Sequence, residues 1–242
     1  MKFGVLDSGV GGISVLIELK KLRPYHDYYY LGDNNNAPYG DKTKGELINL
    51  TDKNIAIFKR LKINNIIVAC NTLSTTLRNY LKKTYKDIKF YFVYPKLTTI
   101  LLKNKICYVL CTKKTAFNLK KYKIIRENQR GLKIFPCPGL VEIIEKKYFK
   151  IKLEEIKRFL PPKEPDVLYL GCTHYPLVTT FIKKVYKSAK IYDGISPLIK
   201  KINKVNTKKT GKIFFLGECK GKNYLFYVKI KKKLQKVEKI LL

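Results

Sequence analysis

Short runs of Val, Ile, Leu, Tyr and Phe recur along the 242-residue chain, separated by longer segments in which apolar positions return every three or four residues. The short runs, at 2–7, 27–33, 65–71, 89–95, 105–111, 166–172, 190–193 and 212–218, predict strands. The longer segments, among them 13–22, 46–61 and 177–186, predict amphipathic helices. Strands alternating with helices imply an α/β protein, with parallel-type sheets flanked by helices.

The pattern also echoes itself. Ile66-Ile67-Val68-Ala69-Cys70-Asn71-Thr72 and Val167-Leu168-Tyr169-Leu170-Gly171-Cys172-Thr173 are each an apolar strand running into a cysteine, then threonine, then a helical stretch. Two such units imply two similar domains. One is expected at 1–94 plus 208–242 and the other at 95–207, with a site in the cleft between them. Ligands of open α/β sheets bind at the carboxyl ends of strands, where each cysteine would lie. A following helix would offer backbone N–H groups to an anion and lower the thiol pKa.

Composition changes this picture little. No run approaches the ~20 apolar residues of a membrane span, and the N-terminus lacks the core of a signal peptide, so a cytoplasmic protein is expected. Six cysteines without a CxxC pair, with His26 and His174 as the only histidines, give neither a disulfide framework nor zinc-ligand spacing. No metal or cofactor is expected. The net charge of +33 would attract polyanions, yet 45 of 51 basic residues are lysine and they are spread evenly. A nucleic-acid reader clusters arginine; a general lysine drift accounts for the charge, and nucleic acid is expected only as a nonspecific partner.

Four segments carry candidate chemistry. Asp7-Ser8-Gly9-Val10-Gly11-Gly12 follows the first strand, but Ser14 stands where a dinucleotide fingerprint needs its last glycine. Asp33 to Gly40 is a polar loop ending in Pro-Tyr-Gly. Cys70-Asn71-Thr72 and Cys172-Thr173-His174 place thiols beside polar side chains at strand-to-helix junctions, with His174 two residues from Cys172. Buried cysteines such as Cys107 and Cys219 read as inert packing.

In this order and spacing, DSGVGG, D-x4-PYG, VACNTLST and GCTHYPL resemble the glutamate racemase family over essentially the whole chain. The resemblance implies a cofactor-independent enzyme acting on glutamate and supplying D-glutamate for peptidoglycan. Cys70 and Cys172 would be the two bases, with Asp7 assisting Cys70 and His174, backed by Glu145, assisting Cys172. Ser8, Tyr39, Gly40, Asn71, Thr72, Thr115 and Thr173 would bind the ammonium and carboxylate groups. The family commonly forms dimers, so a homodimer is an expected assembly. An aspartate racemase or another amino-acid racemase of the same fold is the rival, but the aspartate branch carries glutamate where this chain has His174. Tyr94, Lys114, Gly139 and Gly194 depart from the family pattern. They keep open a degraded relative that turns over slowly, or one that binds nucleic acid or gyrase.

Overall fold

The computed structural model describes residues 1–95, 105–121, 131–205 and 209–240. A first sheet is built from β1 (Lys2–Asp7), β2 (Asp27–Gly32), β3 (Asn65–Val68), β4 (Lys89–Phe92) and β9 (Ile213–Phe215), in the order β4-β3-β1-β2-β9. A second holds β5 (Cys107–Cys111), β6 (Leu132–Pro136), β7 (Val167–Gly171) and β8 (Lys190–Asp193), in the order β6-β5-β7-β8. Every neighbouring pair is parallel. The central strands β1, β5 and β7 are buried on both faces, which is why they read as continuous apolar runs.

Helices α1 (Ile13–Leu22), α2 (Lys44–Arg60), α3 (Asn71–Thr84) and α4 (Lys113–Leu119) follow β1, β2, β3 and β5. Then come α5 (Leu140–Lys147), α6 (Leu153–Lys157), α7 (Thr179–Val185), α8 (Ile195–Ile199) and α9 (Lys220–Ile240). Local chemistry sets α2: Thr43 Oγ1 accepts the Glu46 N–H at 3.2 Å, and Glu46 Oε2 accepts the Thr43 N–H at 2.7 Å. That reciprocal cap satisfies two donors a helix start leaves open.

One core joins the two sheets. Phe3, Val5, Ile13, Leu16 and Leu19 pack in the same cluster as Leu168, Leu170, Val178, Ile195 and Leu198, with Phe226 and Ile230 of α9 among them. The other face of the first sheet has its own cluster around Phe58, Ile66 and Leu73. Buried Arg23, at the end of α1, donates from Nε to Ile202 O at 2.8 Å and from Nη2 to Ile199 O at 3.2 Å. It thereby ties the first helix to the end of the second sheet's layer.

Several expectations are corrected in detail. The run 65–71 stops as a strand at Val68, and Asn71 already begins α3. The run 212–218 pairs only over Ile213–Phe215. The helix expected at 177–186 begins at Thr179, after a 3-10 turn at Tyr175–Val178. Strand β6 carries no expectation from the pattern, because only Leu132 of its five residues is buried. Residues 2–92 and 213–215 supply the first sheet and 107–193 the second. The crossing expected at 207–208 lies outside the described residues.

The topology singles out two places. The chain runs from β1 to β2 on one side and then crosses back to β3 on the other; likewise it runs from β5 to β6 and then crosses back to β7 on the other side of β5. Each sheet thus changes direction at these strands, leaving a crevice at their carboxyl ends. Asp7 closes β1, and Cys70, Thr112 and Cys172 come just after β3, β5 and β7. No helix of the described residues is long and apolar enough to cross a membrane.

Candidate active site

Asp7 ends β1 fully buried. Its Oδ2 accepts the N–H groups of Gly9 (3.2 Å) and Gly12 (2.9 Å), and Oδ1 accepts the Thr173 hydroxyl at 3.1 Å. The Val10 N–H goes to Glu145 Oε1 at 2.7 Å. The amides of this glycine-rich turn are therefore taken by carboxylates of the protein, which explains why the turn looks like a phosphate loop without being one. The glycines serve close approach. A Cβ on Gly9 would overlap the Glu145 carboxylate, and one on Gly11 the His174 ring.

Cys70 is the N-cap of α3, and its Sγ lies 3.8 Å from Ser8 Oγ. Burial is the largest influence on this thiol and pushes it up to about 12, with the Asp7 charge adding to the rise. Asp7 is itself raised by burial, against the His174 charge and its own hydrogen bonds. Asn71 Nδ2, on the first residue of α3, is buried without a partner, an arrangement folded proteins rarely leave unexplained.

Beside it three hydroxyls meet. Thr112 Oγ1 lies 3.0 Å from both Thr72 Oγ1 and Thr115 Oγ1, and caps α4 by accepting the Thr115 N–H at 3.2 Å. Gly40 packs on Thr112, where a Cβ would come within 2.8 Å of the threonine Cβ. The Tyr39 hydroxyl donates to Asp33 Oδ2 at 2.5 Å.

The second thiol has different support. Cys172 Sγ lies 3.7 Å from His174 Nδ1, and His174 Nε2 lies 2.7 Å from Glu145 Oε1. Asn34 Nδ2 at 2.9 Å and Lys222 Nζ at 3.2 Å both donate to Glu145 Oε2. Burial alone would lower His174, yet hydrogen bonds to Cys172 and Glu145 and their charges override it and hold the imidazole well above its ordinary value. Burial likewise opposes ionisation of Glu145, but His174, the Val10 N–H and Lys222 bring it down to about 2. Ser14 Oγ, 2.8 Å from Gly11 O and 2.9 Å from Thr173 O, ties the Asp7 turn to the Cys172 turn.

No protein-family model matches the chain. It is 34% identical over 235 residues to a glutamate racemase of Clostridium acetobutylicum, covering 90% of this chain and 88% of that protein. It is 35% identical over 242 residues to one of Fusobacterium nucleatum, covering 93% and 90%. The chain belongs to the glutamate racemase family. Glutamate racemase from Campylobacter jejuni superposes with a TM-score of 0.79 at 26% identity, covering 94% of this chain and 97% of that one. The Escherichia coli enzyme in complex with L-glutamate and the activator UDP-MurNAc-ala shares the fold, with a TM-score of 0.73 at 24% identity, covering 96% and 94%.

Within this glutamate racemase fold the named residues form three hydrogen-bonded sets on neighbouring turns: Ser8 with Cys70, Thr173 with Asp7, and Cys172 with His174 and Glu145. Thr72 and Thr115 form the hydroxyl cluster beside them, with Asn71 on the first turn of α3, Gly40 against Thr112, and Tyr39 turned toward Asp33. Two expectations about the thiols change. Cys70 caps a helix, yet desolvation outweighs the helix N-terminus and raises the thiol instead of lowering it. Cys172 precedes a 3-10 turn, not the start of α7, so His174 stands where a helix dipole was expected.

Of the positions expected to depart from the family pattern, Lys114 adjoins the hydroxyl cluster. Gly194 packs on Val93 and Tyr94, where a Cβ would lie 2.9 Å from Val93 Cγ1. Tyr94 stacks under the Arg78 guanidinium at 5.0 Å. Gly139 takes the left-handed conformation (φ 84°) at the start of α5, and Lys114 is half-buried beside Thr115. Sequence reasoning missed Asn34, Thr112 and Lys222. Asn34 stands two residues past the end of β2 and Thr112 one past the end of β5, which could have flagged them. Lys222 lies in a lysine-rich tail with nothing local to distinguish it.

Proposed function

We propose that the protein interconverts L- and D-glutamate by moving the α-proton between two thiols, Cys70 on one face of the substrate and Cys172 on the other. The observation that carries this reading is a pair of buried cysteines, 4% and 6% exposed, each with its own acid–base group. Asp7, with Ser8, stands behind Cys70; His174, with Glu145, stands behind Cys172.

A thiol held near 12 is a poor base on its own. A substrate ammonium brought beside the sulfur favours the thiolate, and the raised Asp7 carboxylate is suited to receive its proton. The thiolate then removes the α-hydrogen while the opposite thiol, supplied with a proton by the His174 imidazolium, delivers one to the other face. For the other enantiomer the roles exchange. The charge that develops beside the substrate carboxylate needs oriented donors. Asn71 Nδ2, the N–H groups opening α3, and the Thr72, Thr112 and Thr115 hydroxyls supply them, with Ser8, Tyr39, Gly40 and Thr173 completing the walls. This chemistry calls for no cofactor.

The reading includes two domains, 1–94 plus 208–242 and 95–207, closing on substrate, and a cytoplasmic role in making D-glutamate for peptidoglycan. Assembly as a homodimer follows the family's habit.

The test follows the circular dichroism of L-glutamate and, separately, D-glutamate with the wild type and with Cys70→Ser and Cys172→Ser. Decay from both enantiomers, abolished by each substitution, is expected. A wild type that leaves both unchanged, or a serine variant with wild-type turnover, sinks the reading.

A further inference from the structure

We propose that Lys222, on the first turn of α9, is a positioning residue for the His174 arm: it fixes the Glu145 carboxylate and limits how tightly that carboxylate holds the proton on His174. Glu145, 8% exposed, has four donors from four separate elements: Val10, Asn34, His174 and Lys222. Three come from the strand-end turns that build the site. Lys222 comes from a helix near the end of the chain, and its side chain is half exposed while its target is not.

The helix is held in place independently of that contact. Asn223, fully buried, donates from Nδ2 to Gly32 O at 3.0 Å, and Phe226 and Ile230 enter the shared core. Lys222 is thus delivered to Glu145 by the docking of α9 on the shared core, from a helix that carries neither thiol.

The charge balance gives the contact its meaning. The titratable groups facing His174 are Cys172 from its own turn, Asp7 at the end of β1 and Glu145 from α5, with Lys222 acting through Glu145. With Lys222 present, the carboxylate is shared between two cations. Without it, the full charge of Glu145 falls on the imidazole, which then keeps its proton and supplies it to Cys172 less readily.

The inference rests on the racemase reading only for its kinetic arm. His174 and His26 are the only histidines, so imidazole 15N resonances report both directly. They would be followed from pH 6 to 9 in the wild type, Lys222→Met, which keeps the stem and drops the charge, and Lys222→Arg. Lys222→Met is expected to raise the His174 midpoint by at least about half a pH unit, from Coulomb attraction across a partly solvated site. His26 should stay in place, the matching limb of kcat/KM should move with His174, and Lys222→Arg should restore both.

A His174 midpoint unmoved in Lys222→Met overturns the proposal. So does a wild-type His174 still fully protonated at pH 9, or a change that moves His26 equally and lowers Tm, which marks general loosening. A wild type that binds and titrates normally but never racemises would sink the racemase reading, while the NMR arm still decides the role of Lys222.

Discussion

Replacing Gly11 with alanine should disable the site although no functional group is removed. Gly11 has none of the positive φ that demands glycine, so a methyl group costs nothing in backbone strain. Its cost comes from across the crevice, where the new Cβ would lie 2.6 Å from Cε1 and 2.7 Å from Cγ of His174 and closer still to Nδ1. The shortest of these carbon–carbon distances is about 0.8 Å inside the 3.4 Å limit of ordinary contact. The ring has little freedom to yield, because Nε2 is bonded to Glu145 at 2.7 Å and Nδ1 faces Cys172 Sγ at 3.7 Å.

Either the imidazole moves by most of an ångström or the Asp7 turn lifts off Asp7. A displacement of about 1 Å in a catalytic group costs roughly 100-fold in rate, or about 2.7 kcal/mol of transition-state stabilisation. Overpacking a filled interior costs about 1–3 kcal/mol of stability. Gly11→Ala should therefore lower kcat/KM about 100-fold and Tm by several degrees. Gly221→Ala, which meets nothing within 4 Å on α9, should leave kcat/KM unchanged. Circular dichroism of glutamate turnover and thermal unfolding measure both. A Gly11→Ala enzyme with wild-type kcat/KM and Tm would show that the turn and the imidazole do not meet.

Two further outcomes follow from the charges. Glu145, at about 2 when folded against an ordinary 4.5, contributes stability that is fully present above pH 4.5 and is lost as pH falls through about 2. At most about 3 kcal/mol is involved, and since His174 shares the interaction it counts once. The share belonging to His174 runs the other way, present below pH 6.5 and lost as pH rises through its elevated value. Chemical unfolding of wild type and Glu145→Gln should differ most near neutrality and converge in acid; a gap constant with pH would refute the assignment. The +33 charge should retard duplex DNA in gels at low salt and release it near ~150 mM, as counterion release requires. Retention at that salt would favour a nucleic-acid function.

Legibility in the sequence followed the physics of each element. Strand 2–7 was readable to the residue, because burial on both faces leaves an unbroken apolar run; the bounds 190–193 also matched, although that strand alternates between exposed and half-buried positions. Strand β6 was hidden because its side chains are half-exposed and follow no period. The acid–base groups were legible as local motifs. Glu145 was legible only through family resemblance, because the turns that grip it lie 135 and 29 residues away in sequence. Lys222, 77 residues from Glu145, is one lysine among 45, and only the docking of α9 selects it.

The internal echo implied two similar halves, each with a cysteine at a strand end, and the structure surrounds the two thiols differently. Cys70 caps a fourteen-residue helix, is raised to about 12, and faces a carboxylate. Cys172 sits on a tight turn and faces an imidazole held in its charged form. One sulfur is thus poised as a thiol beside an anion, the other beside a cation, so the resting enzyme is closer to readiness for one enantiomer than for the other. Enantiomers have equal free energies, so kcat/KM must be the same in both directions whatever the site looks like. The inequality can then show only in kcat and KM taken separately: one enantiomer should bind more weakly and turn over proportionally faster. Equal kcat and equal KM in the two directions would mean that substrate erases the difference between Asp7 and His174 as it binds.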